Sequence, residues 1–346
     1  MEMRFVDTDY LIRTDWNDIK LSTFAETFDR IWKDKMKEGI FKYKINFLKA
    51  KMLGGNFQFF AQLNIERAMK RRAPQILSSL TQPFDDKVFN FTKLHGQEFM
   101  FHVVHNSLEN GSEKIGNYIA INASPLEFGH SLLLPALFEK LPQILTFGSI
   151  EFAICTLLSN HNPAFRIGFN SLCAYASVNH LHLHAYYLKQ PMLLEWIEVN
   201  HLSGNCYVLE KHPSKGYVFE IKALVDIHPI IRDIYKLTNF FTENKIAHNM
   251  YVTYGLCFER ARFLERTTER DCIRIYIWAR TYSQEIKVLD EFNPALCELF
   301  GHLLVKTEES YNQLTEEKVA EILENITHAP FNATKHKVQQ LFAKVK

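Results

Sequence analysis

The spacing of hydrophobic residues changes character along the chain. Over residues 16–37, Ile19, Phe24, Phe28 and Trp32 recur at nearly helical intervals, which predicts an amphipathic helix. From about residue 88 the apolar runs become short and are bounded by turn residues, which favours strands. Strands are predicted over residues 98–105, 118–122, 130–135, 165–170 and 179–188, with a turn at Asn110-Gly111 and a helix over 150–158.

The second half of the chain repeats part of this order. Residues 229–244 have a helical pattern, and residues 250–254 and 273–278 follow as two strands. The order helix, strand, strand therefore occurs twice, although we find no sequence identity between the halves. Closing helices are predicted over residues 294–304 and 316–325, the second from the helix-start pattern Thr315-Glu-Glu.

These elements predict an α+β fold, with an antiparallel sheet, flanking helices and a duplicated architecture whose second half is degenerate. Residues 1–90 are expected to form a helical and irregular segment packed on the core. Residues 91–220 form the first, histidine-bearing half. Residues 221–346 form the degenerate second half and the closing helices.

Composition and charge exclude several classes of protein. The 346 residues are 47% hydrophobic and 23% charged, which is typical of a folded globular chain. A net charge of +1 favours neither nucleic acid nor a membrane surface. The first fifteen residues do not resemble a signal peptide, and no apolar run approaches the ~20 residues that span a bilayer. Six widely spaced cysteines without a CxxC pair predict reduced thiols and a cytoplasmic location.

The candidate chemistry is concentrated in one predicted strand. His180, His182 and His184 alternate with apolar residues, and alternate residues of a strand share a face. The apolar residues between them would pack on the opposite face. The pattern therefore predicts three imidazoles side by side on one surface.

Three aligned imidazoles can bind a metal or act in covalent catalysis. The outer two Cα atoms of a straight strand would lie about 13 Å apart, at ~3.3 Å per residue. Because zinc needs its ligand atoms at about 2.1 Å, the three rings could hardly share one ion. A neutral imidazole is a good nucleophile near neutral pH, and flanking rings can bind a phosphoryl oxygen or donate a proton. A surface strand with incidental histidines is the third possibility.

Two segments resemble the histidine-triad superfamily. The first is His180-Leu-His-Leu-His184, and the second is the upstream stretch Asn122-Ala-Ser-Pro-Leu-Glu-Phe-Gly-His130 with the apolar strand after it. Small histidine-triad hydrolases are much shorter than this chain. The second, degenerate half resembles the galactose-1-phosphate uridylyltransferase branch of the superfamily.

Within that branch, further segments are similar to the GDP-hexose phosphorylases. They are Phe60-Ala-Gln-Leu-Asn64, Pro83-Phe-Asp, Phe89-Asn-Phe-Thr-Lys93, Gly168-Phe-Asn-Ser171, Ser177-Val-Asn-His180 and the stretch from Phe292 to His302. Plant members acting on GDP-L-galactose typically have glutamine at the third triad position. This chain has His184 there, like the animal members acting on GDP-D-glucose.

The resemblance implies a reaction and a set of roles. The reaction is phosphorolysis of GDP-D-glucose to GDP and glucose 1-phosphate through a guanylyl-histidine. His182 matches the nucleophile and His180 the histidine that helps to position it. His184 matches the residue that contacts the phosphate and the departing oxygen. Ser177 matches a contact to the α-phosphate and Asn122 a contact to ribose hydroxyls.

The sequence also departs from the pattern of related proteins. Phe169 stands where the superfamily often has asparagine, so the adjacent Asn170 is the candidate for that contact. Tyr254 stands where related phosphorylases usually have arginine. Less specific substrate-binding candidates, each with a purely structural alternative, are Gln62, Asn64, Arg67 and His130.

The expected partners are a GDP-hexose and inorganic phosphate, without nucleic acid, membrane, metal or cofactor, in a monomer or homodimer. Three alternatives remain open at this point. The chain could be a hydrolase or a nucleotidyltransferase acting on another nucleotide sugar. It could bind nucleotides without turnover, or it could be a metalloprotein.

Overall fold

The computed structural model describes residues 1–45, 49–70, 75, 79–105, 116–263, 267–283 and 292–343. The turn predicted at Asn110-Gly111 lies outside these residues. The strands of the described residues are β1 (Glu2–Phe5), β2 (Thr14–Asp15), β3 (Ala50–Met52), β4 (Phe60–Leu63), β5 (Phe99–His105), β6 (Asn117–Ile121), β7 (Ser131–Leu134), β8 (Phe165–Asn170), β9 (Leu183–Tyr187), β10 (Asn200–Ser203), β11 (Cys206–Leu209), β12 (Gly216–Ile221), β13 (Ala247–Gly255), β14 (Glu269–Arg270), β15 (Cys272–Arg280) and β16 (His302–Val305). The α-helices are α1 (Thr23–Lys37), α2 (Ile65–Lys70), α3 (Phe147–Asn160), α4 (Ile227–Glu243), α5 (Phe258–Ala261), α6 (Leu296–Leu299), α7 (Glu308–Gln313) and α8 (Glu316–Leu341).

Eleven of the described strands form one sheet, in the order β1-β5-β6-β7-β9-β8-β13-β15-β12-β11-β10. All neighbours in it are antiparallel except β1 and β5, which are parallel. Two smaller sheets complete the described part of the chain: β14 pairs with β2, and β16, β4 and β3 lie side by side. The predicted α+β class, with an antiparallel sheet and flanking helices, is confirmed.

The large sheet is built from one unit used twice. Three strands, a helix and two strands occur as β5-β6-β7, α3, β8-β9, and again as β10-β11-β12, α4, β13-β15. Each unit inserts its last strand between its third and fourth strands, and the two units meet where β8 pairs with β13. The prediction of a duplicated fold is therefore confirmed, and the repeat is longer than the sequence indicated. We propose that the halves divide between Tyr187 and Asn200, whereas the sequence pattern placed the boundary at 220/221.

Helices α1, α3 and α4 cover one face of the sheet. Phe28 of α1, Leu157 of α3 and Ile234 of α4 are fully buried there, in one cluster with Leu183 and Ala185 of β9. Two of these helices begin with a capping side chain. At α1 the hydroxyl of Ser22 accepts from the backbone N–H of Ala25, and at α3 the hydroxyl of Thr146 accepts from that of Ser149. Because Leu183 and Ala185 point to the helices, His184 between them faces the other side of the sheet.

The second half carries different residues on the corresponding strand. β15 has Arg274, Tyr276 and Trp278 at alternate positions, and all three side chains are fully buried. The guanidinium of Arg274 donates to the backbone carbonyls of Leu256 and Ile197, both at 2.7 Å. β15 contains no histidine, so the second half is degenerate as predicted.

Several predicted elements differ from the structure. The prediction of a helix over residues 294–304 is wrong. Helix α6 ends at Leu299, Gly301 adopts a positive φ of 101°, and the chain then enters β16. Strands β10 to β12 were not predicted. Of these, the edge strand β10 is polar and largely exposed, so it has no apolar pattern, whereas β11 and β12 are mostly buried. The strand predicted over residues 179–188 begins only at Leu183, so His180 and His182 precede it.

Among the described residues, no helix combines the length and the apolar character that a membrane span needs. His, Cys, Asp and Glu side chains in that part of the chain form no group of three or more that could hold a metal ion.

Candidate active site

A cavity of about 630 Å³ lies over β9, on the face opposite the helices. Its wall includes His182 and His184, whose ring centroids are 5.1 Å apart. An apolar part of the wall consists of Phe89, Phe91, Leu94, Leu132 and Val178. A polar part consists of Lys42, Asn64, Arg67, Asn293, Glu298 and Lys306. Such a site accommodates a ligand with one flat apolar end and one charged end.

The ring of His182 has a defined tautomer. Its Nδ1 lies 2.7 Å from the carbonyl oxygen of His180 and 2.9 Å from Oε1 of Gln143. Both neighbours can only accept, so Nδ1 carries the proton. Among the described residues, Nε2 has no hydrogen-bond partner. It therefore presents a lone pair to the cavity, as a nucleophile requires.

Burial keeps this ring neutral. His182 is 2% exposed, and desolvation lowers its pKa to about 4, slightly offset by the hydrogen bond to the carbonyl of His180. The imidazole is therefore unprotonated at neutral pH.

A chain of hydrogen bonds through His130 sets the tautomer of His184. The backbone N–H of Leu126 donates to Nδ1 of His130 at 2.9 Å, which leaves the proton of His130 on Nε2. That Nε2 lies 3.1 Å from Nδ1 of His184 and donates to it. The proton of His184 is then on its own Nε2. His184 thus offers a donor to the cavity, where His182 offers a lone pair.

His180 does not face the cavity. Its Nδ1 accepts from the backbone N–H of Phe91 at 3.0 Å, and its Nε2 donates to the carbonyl oxygen of Leu137 at 3.1 Å. Both ring nitrogens are used, and the residue is 1% exposed. It contacts His182 through its own carbonyl group and does not line the cavity.

Most of the other predicted residues lie in the cavity wall. They are Asn64, Arg67, Asn122, Asn170 and Ser177. Oδ1 of Asn170 accepts from Nδ2 of Asn249 at 2.6 Å, which leaves its amide N–H groups as donors. Arg67 donates to the carbonyl oxygen of Ser124 and brings a positive charge to the wall.

Gln62 and His130 do not line the cavity, contrary to their selection as substrate-binding residues. Gln62 accepts from Nε2 of His302 at 3.0 Å and donates to Glu127 at 2.6 Å. Both the oxygen and the nitrogen of its amide therefore already have hydrogen-bond partners behind the cavity wall. His130 is fully buried behind His184 and acts on it as described.

Tyr254 also lies away from the cavity. Its hydroxyl is within 3.0 Å of the backbone carbonyls of Leu11 and Leu157, in the core under the helices. The residue at this position of the chain therefore has no contact with the site.

Sequence reasoning missed several polar residues of the site, among them Glu298, Lys306, Asn293 and Gln143. Glu298 is 3% exposed, and burial raises the pKa of its carboxyl to about 7. Lys306 donates to Oδ1 of Asn293 at 2.9 Å, and both line the cavity. Gln143 contacts His182 from outside the cavity. The stretch from Phe292 to His302 was noted as similar to relatives, and that signal could have identified Asn293 and Glu298.

Comparisons with known proteins match this chain over most of its length. Two family models match the chain, "GDPGP1-like, N-terminal domain" over residues 23–186 and "GDPGP1-like, C-terminal domain" over residues 194–345. The GDP-D-glucose phosphorylase 1 of Homo sapiens is 36% identical over 318 residues, which cover 90% of this chain and 81% of that protein. The protein of the same name from Danio rerio is 38% identical and covers 85% of this chain and 83% of its own.

More distant relatives share the architecture. GDP-L-galactose phosphorylase 2 of Arabidopsis thaliana is 28% identical, over 86% of this chain and 70% of that protein. The crystal structure of yeast Ap4A phosphorylase Apa2 matches with a TM-score of 0.60 at 14% identity, over 90% of this chain and 95% of that one. At this identity the second match shows the fold alone. From the two family models and the relatives above 30% identity, the chain belongs to the GDP-D-glucose phosphorylase family.

Proposed function

We propose that this chain catalyses the phosphorolysis of GDP-D-glucose to GDP and glucose 1-phosphate, through a guanylyl group on His182. The observation that carries the proposal is the unprotonated Nε2 of His182 in the cavity wall, next to a ring whose Nε2 is a donor. The relatives named GDP-D-glucose phosphorylase support the choice of substrate.

In the first step, the lone pair on Nε2 of His182 attacks the α-phosphorus of GDP-D-glucose. A nitrogen–phosphorus bond forms, and the bond from the α-phosphorus to the bridging oxygen breaks. Glucose 1-phosphate leaves with the bonding electrons on that oxygen. The N–H of His184 stabilises the departing oxygen by hydrogen bonding, which lowers the barrier to cleavage.

In the second step, an oxygen of inorganic phosphate attacks the same phosphorus. The bond to His182 breaks, its electron pair returns to Nε2, and GDP is released. Two displacements divide one difficult transfer into two easier ones. Because the first product leaves before phosphate reacts, a ping-pong rate law is expected.

The two parts of the cavity wall suit the two parts of this substrate. The apolar part, with Phe89 and Phe91, can cover the flat face of guanine. Asn122 and Ser177 are proposed to contact ribose hydroxyls and the α-phosphate. Asn170 is proposed to donate its amide N–H groups to the phosphates.

The polar part of the wall supplies the positive charge that phosphates need. Lys42, Arg67 and Lys306 line the cavity, against the carboxyl of Glu298. We propose that Arg67 and Lys306 hold the β-phosphate and inorganic phosphate in turn, and that Asn64 assists Arg67. A guanidinium binds phosphate oxygens through two parallel N–H groups, which also fixes their orientation.

We propose a cytoplasmic location and a substrate pair of GDP-hexose and inorganic phosphate. All six cysteines are unpaired, and burial raises the pKa of Cys155 and Cys297 to about 12. Unreactive, unpaired thiols are typical of a reducing compartment.

One product assay tests the function. GDP-D-glucose, GDP-L-galactose and GDP-D-mannose are each incubated with the protein, with and without phosphate. The proposal expects GDP to be released only with phosphate and fastest from GDP-D-glucose. GMP released by water alone would identify a hydrolase, and preference for another sugar would overturn the substrate assignment.

The covalent step needs its own test. His182→Asn should abolish turnover while GDP still binds, since the nucleophile is lost and the cavity remains. His201→Asn, in the exposed histidine of β10, is the matched control. A His182→Asn enzyme that turns over at the rate of the control would exclude the guanylyl-histidine.

A further inference from the structure

His182 lies at the point where the strand ladder stops. β9 pairs with β7 and β8 only from Leu183 onward, so His182 has no neighbour in either ladder. Its backbone N–H instead donates to Oε1 of Gln143 at 2.9 Å, and its carbonyl oxygen accepts from Nε2 of Gln143 at 3.0 Å. The carboxamide of Gln143 thus replaces the strand that is missing beside His182.

The same carboxamide contacts the reactive ring. Oε1 of Gln143 also accepts from Nδ1 of His182 at 2.9 Å. We propose that Gln143 is a positioning residue for the nucleophile: together with the carbonyl of His180 it holds the proton on Nδ1, and it directs the Nε2 lone pair into the cavity. This proposal rests on the function proposed above and goes beyond it, because it names a residue outside the triad on which guanylyl transfer depends.

Gln143 is itself held rigidly. It is 1% exposed, and its backbone N–H donates to Oδ1 of Asn179 at 3.0 Å. Its Nε2 donates to the carbonyl of Asn170 at 2.9 Å as well as to that of His182. Because both of these partners are acceptors, the nitrogen must be on this side and the oxygen must face Nδ1. Gln143 does not line the cavity, so it acts on the reaction only through His182.

Glutamine meets a demand that few side chains can meet. One atom must accept from the N–H and Nδ1–H of His182, and another must donate to two carbonyls. Glutamate keeps the acceptor but has no N–H group, and adds a negative charge. Methionine has a similar length but provides neither partner.

A negative charge introduced beside the ring of His182 should change the pH dependence of the reaction. Asp86 and Lys140 act on His180, and their effects on its pKa have opposite signs. The groups that contact His182 are His180, His184, Phe91 and Gln143. In this set only the histidines titrate. A carboxylate at position 143 would therefore be the one anion beside Nδ1.

The first variant is Gln143→Glu, measured by the rate of single-turnover guanylylation between pH 6 and 9, above the range in which acid should unfold the protein. For the wild type, the rate should be constant over this range, since the pKa of His182 is about 4. The carboxylate should favour the charged imidazolium and move the acid limb about 1–3 pH units higher. A shift at the upper end of this range would leave about a tenth of the rate at pH 6, with nearly full recovery at pH 8.5.

The second variant is Gln143→Met. It should lower kcat about 10- to 100-fold, the range found for residues that orient a reacting group, and change KM much less. Gln313→Met, in an exposed glutamine of α7, is the control for the exchange itself. Imidazole ¹⁵N NMR of the unliganded protein gives a readout independent of activity. The Nδ1–H tautomer of His182 should dominate in the wild type and lose ground in Gln143→Met.

An acid limb of Gln143→Glu that coincides with that of the wild type would overturn the proposal. A loss of the same factor at every pH would do so as well, since it would indicate a structural role alone. If the Glu variant does not fold, an unchanged tautomer and kcat in Gln143→Met decide against the proposal. A wild type that never forms a guanylyl-protein would instead refute the proposed function, so the two failures are distinguishable.

Discussion

Mild acid should unfold this protein, because it buries neutral histidines. His180, His182, His212, His248 and His302 are each at most 2% exposed. Burial is the largest cause that lowers their pKa values, to about 4 for His180, His182 and His248 and about 3 for His212 and His302. In the unfolded chain these rings titrate near 6.5. Unfolding below that pH therefore takes up protons.

The direction and size of the effect follow from linkage. With folded pKa values below the unfolded value, the stabilisation is complete above pH 6.5 and is lost as the pH falls toward 4. Between pH 7 and pH 5, each of these histidines lowers the free energy of unfolding by about 2 kcal/mol. Over the same interval Glu298, with its raised pKa of about 7, contributes about 2 kcal/mol in the opposite direction. A net loss of roughly 7 to 8 kcal/mol compares with a total stability of about 5–15 kcal/mol.

Urea unfolding followed by tryptophan fluorescence, at half-unit steps from pH 7.5 to 5, measures this loss. His212→Asn isolates one contribution away from the cavity: Nδ1 of His212 accepts from the backbone N–H of Ser214, and an asparagine oxygen can replace it. The variant should lose about 2 kcal/mol less than the wild type between pH 7 and pH 5. A free energy of unfolding that stays constant over this range would refute the reasoning.

Three further predictions concern the site. Gly168→Ala would place its Cβ 1.8 Å from Cδ2 of Leu296 in the cavity wall, so urea unfolding should show a loss of about 1–3 kcal/mol; an unchanged midpoint would contradict the packing. Glu298→Gln should stabilise the protein at pH 8 by up to about 3 kcal/mol, and the gain over the wild type should vanish near pH 4.5, since the charged carboxyl is the disfavoured form; equal stability at pH 8 would show that its pKa is ordinary. His130→Phe removes the donor to His184 and should slow release of glucose 1-phosphate about 10-fold or more, with GDP affinity retained by calorimetry; unaltered release would separate His130 from the chemistry.

The parts of the fold that the sequence predicted well are those buried on both sides. β8 was predicted over its full length, because all six of its residues are buried and apolar positions dominate it. β10 was missed because an exposed edge strand has no apolar signature. The helix predicted over 294–304 failed at Gly301, where a positive φ and parallel pairing of β16 with β4 override the helical spacing.

The site shows a similar division. Alternation of His182 and His184 with core residues placed both rings on one face, since a strand has only two faces. Gln143 could not be found in this way, because it is 39 residues from His182 and a lone glutamine has no pattern. Gln62 was assigned to the substrate, but its direction depends on His302, which is 240 residues away.

The seam between β8 and β13 has a consequence for how the chain can be divided. Cutting the chain between the two units would leave β8 as a bare edge, with backbone groups that invite self-association. It would also remove Leu296, Glu298 and Lys306, which the non-catalytic unit contributes to the cavity around His182. The second unit, which lacks the histidines, therefore completes the cavity wall of the first unit. An isolated first unit should self-associate and fail to bind nucleotide, although it would contain all three histidines.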